Sequence, residues 1–146
     1  PSTGGLVMGK ARVLEGRAHV TLPAPLDEVP LLVRRGATIP LLPPDVWSLA
    51  APREESSLHL LAFPGGKTIT RLERHRRLTS VETRTGWSLR VEPEHRVEID
   101  LQASLDFEPS SVEISDGRLE EWTYDAPTRV LRAAYSGRSP VLLAKR

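Results

Sequence analysis

Leu78-Thr79-Ser80-Val81-Glu82-Thr83-Arg84-Thr85-Gly86-Trp87-Ser88-Leu89-Arg90-Val91-Glu92 is the stretch that decides the fold class. Val81 and Thr83 alternate with Glu82 and Arg84, and Trp87, Leu89 and Val91 alternate with Ser88, Arg90 and Glu92. Successive side chains of a strand point to opposite faces, so a period of two gives each run one apolar and one charged face. Thr85-Gly86 between the runs reads as the turn of a hairpin.

The same rhythm extends in both directions. Upstream, residues 58–63 end at Pro64-Gly65-Gly66, a turn signal, and residues 68–72 resume the strand pattern. Residues 31–33 and 38–42 flank the turn-prone Arg35-Gly36, and residues 18–22 form a β-rich run ending at Pro23. Downstream, Val97, Ile99 and Leu101 alternate with Glu98, Asp100 and Gln102. Val112 and Ile114 stop at an Asp116-Gly117 turn, and Trp122 and Tyr124 share a face. Asp125-Ala126-Pro127-Thr128 then reverses the chain into residues 129–135, and residues 141–144 make a last strand. Thirteen prolines and ten glycines leave few gaps long enough for three helical turns. A parallel α/β fold needs helices between its strands. The chain therefore reads as all-β, an antiparallel β-sandwich.

The length of 146 residues suits one domain or two small ones. The polar, aperiodic residues 50–57 read as a connection between two β modules, with a long loop inside one sandwich as the alternative. Twenty basic residues face nineteen acidic ones, a net charge of +1. That balance exerts little non-specific pull on nucleic acid or an anionic membrane, so neither is expected as a partner. The longest apolar run, residues 29–42, is broken by Arg34, Arg35 and prolines and is too short to span a bilayer as a helix. The absence of cysteine removes disulfides and thiolate metal sites but leaves the compartment open. The chain opens Pro1-Ser2-Thr3-Gly4-Gly5, without an initiator methionine or an apolar signal segment. It reads as a piece cut from a longer protein, so localisation, cytoplasmic or secreted, is left open.

Few residues ask for a chemical role. His19, His59, His75 and His95 have no partner at a diagnostic metal-ligand spacing, and surface or edge positions are the simpler reading. Asp27-Glu28 and Glu120-Glu121 are adjacent acids. In extended chain such neighbours point to opposite faces and cannot clamp a sugar from both sides, as glycosidase carboxyls do. Arg71, Arg74, His75, Arg76 and Arg77 form a basic run interrupted by Glu73, with no aromatic platform, which reads as a solvated turn. Trp87 and Trp122 lie on apolar strand faces and are expected in the core. Trp47, in a proline-rich loop, is the tryptophan expected to meet another domain or a sugar. No catalytic residue, metal site or cofactor site is assigned.

Residues 22–41, Leu-Pro-Ala-Pro-Leu-Asp-Glu-Val-Pro-Leu-Leu-Val-Arg-Arg-Gly-Ala-Thr-Ile-Pro-Leu, resemble the segment that follows the catalytic barrel in family 31 glycoside hydrolases, which include α-glucosidases and α-xylosidases. Prolines there set rigid corners, Gly36 permits a tight turn, and Arg34 offers a fork that could fix a carbonyl or carboxylate at a domain seam. Residues 112–131 are similar, more loosely, to late strands of the distal sandwich of the same enzymes. The resemblance implies residues 1–53 as the incomplete tail of a proximal β-sandwich with its linker, and residues 54–146 as a distal C-terminal β-sandwich. It implies a non-catalytic fragment of a retaining α-glycoside hydrolase, bracing a barrel that needs at least about 200 residues of its own. The upstream barrel is then the expected partner. A carbohydrate-binding module and an oligomerisation domain stand as alternatives. A homodimer is expected through an open sheet edge at residues 18–22, because unpaired edges invite partners.

Overall fold

The computed structural model of the chain describes residues 19, 21, 32–42, 57–72 and 76–146. Every regular element among them is a strand: β1 (Thr38–Leu41), β2 (Ser57–Ala62), β3 (Lys67–Arg71), β4 (Arg77–Thr83), β5 (Gly86–Glu92), β6 (Val97–Ser104), β7 (Ser111–Asp125) and β8 (Val130–Lys145). The chain is all-β and sandwich-like, with antiparallel pairing dominant. The expected edge at residues 18–22 and the expected module boundary near residue 53 fall outside the described residues, apart from His19 and Thr21.

One strand holds the two halves together. β8 pairs antiparallel with β6 from Val97↔Gly137 to Ser104↔Val130, then with β5 from Arg90↔Val141 to Gly86↔Lys145. β7 pairs with β8 along both stretches. The strand order is β1-β2-β6-β8-β5-β4-β3, so β1-β2-β6 forms one arm and β3-β4-β5 the other. β2 and β6 run parallel, the exception to the antiparallel rule. The chain leaves the first arm after β2, builds the whole second arm, and re-enters the first arm in its original direction.

Parity shows how β8 serves both arms. Leu131, Ala133 and Tyr135 are buried in its first part, Leu142 and Ala144 in its last. An unbroken strand would keep odd-numbered residues inward throughout. The inward set switches to even numbers across Arg138-Ser139-Pro140, three residues matched in none of the ladders. Pro140 has no N–H to give and sits where no ladder bond is required. β7 answers with two irregularities, between Ser115 and Gly117 and between Leu119 and Glu121. At the second, β7 advances two residues while β8 advances one, and the extra residue is a bulge.

Both arms bury their inward faces in one cluster. Leu60 and Ala62 of β2 and Val97, Ile99, Leu101 and Ala103 of β6 meet Leu78, Trp87, Leu89 and Val91 of the other arm. Trp87 is fully buried, and its Nε1 donates to Ser80 Oγ at 2.8 Å. That bond removes the cost of burying an indole N–H without a partner. A satellite cluster of Leu61 and Val130 with Ile39, Leu41 and Phe63 seats β1 on the first arm.

Five local expectations differ from what the chain does. The β4–β5 turn is Arg84-Thr85, and Gly86 already belongs to β5 at φ 151°. A Cβ on Gly86 would stand 2.2 Å from the Ala144 carbonyl oxygen, so the glycine answers to β8 rather than to the turn. On β4 the inward residues are Leu78 and Ser80, not Val81 and Thr83. A two-residue loop pairs Ser80 with Leu89 and Leu78 with Val91, which puts the even-numbered side of β4 on the apolar face of β5. Asp116-Gly117 does not reverse the chain but is absorbed within β7, and residues 32–33 are not strand. Trp122 is paired opposite buried Ala133, as its face demands, yet is 37 % exposed. β7 has no neighbour beyond it there among the described residues, so nothing covers the indole.

The Tyr135 hydroxyl is buried with no hydrogen-bond partner among the described residues, and burial pushes its pKa well above the usual tyrosine value. An unmatched buried hydroxyl costs about 1–3 kcal/mol. Tyr135→Phe should therefore leave urea-unfolding stability unchanged or raise it, whereas Tyr135→Ala should lower it by about 3–5 kcal/mol through the cavity. Loss of stability in Tyr135→Phe would show that the hydroxyl is bonded.

Candidate functional site

The segment from Arg34 to Ala37 forms a corner stitched to both arms. Arg35-Gly36 is a turn closed by Ala37 N–H donating to the Arg34 carbonyl at 3.1 Å. Gly36 N–H donates to the Phe63 carbonyl at 2.5 Å, and Phe63 N–H donates to the Ala37 carbonyl at 2.8 Å. Thr68 Oγ1 donates to the Gly36 carbonyl at 2.5 Å. Gly36 has φ 89°, a region open to glycine and unfavourable for other residues. A Cβ on it would lie 2.5 Å from Thr68 Cγ2, and one on Gly65 would lie 2.7 Å from the Gly36 nitrogen. The two turns pack backbone to backbone, and glycine at both positions is what lets them.

Arg35 supplies the charged part of this corner. Its Nη2 contacts Asp106 Oδ2 at 3.0 Å, just beyond β6 of the first arm, and Glu82 Oε2 at 3.5 Å on β4 of the second. One guanidinium thus ties the incoming chain to both arms. The Arg35 side chain is 58 % exposed, so each pair contributes at most about 1 kcal/mol and is screened by salt. Arg34 is exposed and contributes its carbonyl to the turn. Trp47 lies outside the described residues, as do Asp27, Glu28, Glu73, Arg74 and His75.

A second feature is a shallow acidic cleft on the outer face of the first arm. It is lined by Ser57 and His59 of β2, Glu98 and Asp100 of β6, Glu120 of β7, and Ala134 and Ser136 of β8. The parallel register puts His59 beside Asp100, with Nδ1 3.3 Å from Oδ2. Glu120 enters this cleft because the β7 bulge breaks the simple alternation that would separate it from Glu121. Glu98 and Asp100 stand two residues apart on one strand and face the same way. Glycosidase carboxyls instead face each other across a sugar ring, with one held in an apolar pocket that raises its pKa. Here the carboxylates are solvated, Asp100 at 62 % exposure. The cleft can attract cations and hydroxyl donors, and its three carboxylates stand in solvent rather than in an apolar pocket. His95 is exposed in the β5–β6 connection, and Arg77 is held by Glu92 through Nε at 2.5 Å and Nη2 at 3.0 Å. That ion pair lowers the Glu92 pKa below the usual glutamate value.

The alternation of Glu98 and Asp100 is visible in the sequence, but the β2–β6 pairing that brings His59 to them is not. Arg35 is one residue from the arginine singled out by sequence, and its two acidic partners are 47 and 71 residues away.

No family model matches the chain, and no curated protein matches it by sequence. Among solved structures it is similar to a GH31 (glycoside hydrolase family 31) dextranase of Flavobacterium johnsoniae, seen as a mutant complexed with isomaltotriose and as a complex with glucose. Each comparison gives a TM-score of 0.56 at 14 % identity, over 78 % of this chain and 19 % of the dextranase chain. The chain spans about a fifth of the length of that enzyme. At this identity the likeness is one of fold: this chain has the fold of a part of a GH31 enzyme.

Gly36→Ala should destabilise the chain by about 1–3 kcal/mol, since it combines backbone strain with overlap. Arg35→Ala should cost under about 1 kcal/mol, and less in 1 M NaCl. Urea unfolding of both variants checks this. A Gly36→Ala protein as stable as its parent would contradict the corner geometry.

Proposed function

We propose that this chain is a non-catalytic C-terminal β-sandwich portion of a retaining α-glycoside hydrolase of the family 31 type, and that it braces a catalytic barrel in the same polypeptide. The observation that carries this reading is the fold likeness, which takes up most of this chain but only 19 % of the dextranase. The proline-rich residues 22–41 support it independently, through their resemblance to the segment after the family's barrel. A (β/α)₈ barrel needs at least about 200 residues and helices between its strands. The described residues form no βα unit.

In this reading residues 1–53 are the tail of a proximal sandwich and residues 54–146 the distal one. β1 reaches across as an edge strand on β2. The corner at Arg35 then makes the seam rigid, and exposed Leu32 and Arg34 beside it are placed to meet the barrel. The role is mechanical: a stiff sandwich fixed to the barrel's exit segment limits how far loops on that side can open.

A second reading, a saccharide-binding module, draws support from Trp122. Its indole is partly exposed on a β strand with Tyr124 two residues on, and flat aromatic faces suit pyranose rings.

The 146-residue chain should not hydrolyse nitrophenyl α-glycosides. Deleting it from the full-length parent enzyme should lower the melting temperature of the remaining barrel by several degrees. Turnover by the isolated chain, or a truncated parent with unchanged melting temperature, would contradict the bracing role. Retardation of the chain in an affinity gel of soluble α-glucan, abolished by Trp122→Ala, would favour the second reading.

A further inference from the structure

The crossing of β7 and β8 is built unlike the rest of the sandwich. Between Ser115↔Val141 and Gly117↔Gly137, β7 advances two residues while β8 advances four. Arg138, Ser139 and Pro140 are thereby left out of the ladders, and their backbone groups are freed from strand pairing. The strands approach so closely that neither glycine has room for a side chain. A Cβ on Gly117 would stand 2.2 Å from the Ser136 carbonyl oxygen, and one on Gly137 would stand 2.4 Å from the Asp116 carbonyl oxygen. Asp116 itself adopts φ 56°, an unfavourable conformation for a residue with a Cβ. Strain of this kind gathers at sites that bind or react, and an observed outlier is a proper starting point for a functional hypothesis.

A cleft lies over this bare floor. Its walls carry Arg96 from the β5–β6 connection, Arg118 from β7, and Arg138 with Ser139 from β8. Among the described residues of the lining Asp116 is the one carboxylate against three guanidinium groups, an excess of positive charge that the Arg118–Glu120 contact offsets in part. Arg96 is held in place, since its Nη2 donates to Ser136 Oγ at 2.9 Å and Ser136 is buried. Arg118 shares a loose, exposed contact with Glu120 at 3.6 Å. A bend between two strands needs glycines and a proline, which are present. It does not need three arginines lining one cleft, whose mutual repulsion is relieved by a counter-charge.

We propose that this cleft is a binding site for an oxyanion, a phosphate or carboxylate group, either free or carried on a small saccharide. Guanidinium forks match the two-oxygen edge of such groups and bind them through charge-assisted hydrogen bonds. The Ser139 hydroxyl and the unladdered N–H groups of Arg138 and Ser139 add neutral donors. The glycine floor lets the anion approach the backbone itself. This proposal does not depend on the glycosidase reading, because the described lining residues come from β7, β8 and the β5–β6 connection.

The test is a ¹⁵N–¹H correlation titration of the 146-residue chain with sodium phosphate, with glucose 6-phosphate and with glucuronate, all at low salt. The expected result is saturable shifts centred on the amides of Gly117, Gly137 and Ser139. Arg138→Gln should weaken binding at least tenfold without changing the melting temperature, while Arg84→Gln, at the distant β4–β5 turn, should not. If phosphate binds as tightly as the sugar-borne probes, the occupant is the free anion. If a sugar-borne probe binds at least tenfold tighter, the occupant is an anionic saccharide, and both results uphold the site. Non-saturable shifts spread over all basic residues, or equal affinity in Arg138→Gln, would overturn it.

Discussion

The fold depends on β8 being shared. Its backbone satisfies β6 with its first half and β5 with its second, while β7 occupies its other edge. A straight strand cannot present its core side chains to two arms that fold over one another. β8 meets the demand by dropping three residues from the ladder and switching its inward parity between Tyr135 and Leu142. Pro140, Gly137 and Gly117 are consequences of that switch. The position of Gly86 follows as well, because β8 passes too close for any side chain there. Trp87 of the second arm and Tyr135 of β8 can then share one core.

The same constraint distributes the charges. Net charge of +1 conceals a separation: the outer face of the first arm gathers Glu98, Asp100 and Glu120, while the crossing gathers Arg96, Arg118 and Arg138. Composition averages these to near zero, and the register of β2, β6, β7 and β8 sorts them into two patches that meet at the Arg118–Glu120 contact. The stitched corner at Arg35 adds a mechanical element. Backbone bonds of Gly36, Ala37 and Phe63 hold the incoming chain, and the ion pairs to Glu82 and Asp106 orient it.

Much of this was legible in the sequence where the pattern is local. Alternation located β4, β5 and β6, Pro64-Gly65-Gly66 marked the passage from β2 to β3, and Asp125-Ala126-Pro127-Thr128 marked a true reversal. Legibility failed where one signal serves two purposes. Asp116-Gly117 has turn chemistry, but the positive φ at Asp116 makes an irregularity in a continuing strand. Gly86 reads as a turn residue, but its lack of a side chain answers to Ala144 across the sheet. Trp122 was placed on the correct face, but burial depends on whether another strand lies beyond it, which period two cannot say. The parallel β2–β6 pair and the acid partners of Arg35 are long-range, and no local spacing encodes them. At the candidate site, sequence read Arg35-Gly36 as a turn and, through the resemblance, Arg34 as a seam residue; the turn is there, and the ion pairs belong to Arg35. Sequence did not reveal the clefts, whose residues come from strands far apart in the chain.

Native-state hydrogen exchange on β8 tests the central claim most directly. Amides in a single cooperative unit open with the same free energy, and separate units open independently. The account expects the ladder amides on both sides of the 138–140 interruption, in residues 130–137 and 141–145, to converge on one opening free energy equal to that of global unfolding. Two distinct opening energies, one for each half of the strand, would show that β8 does not bind the arms into one body.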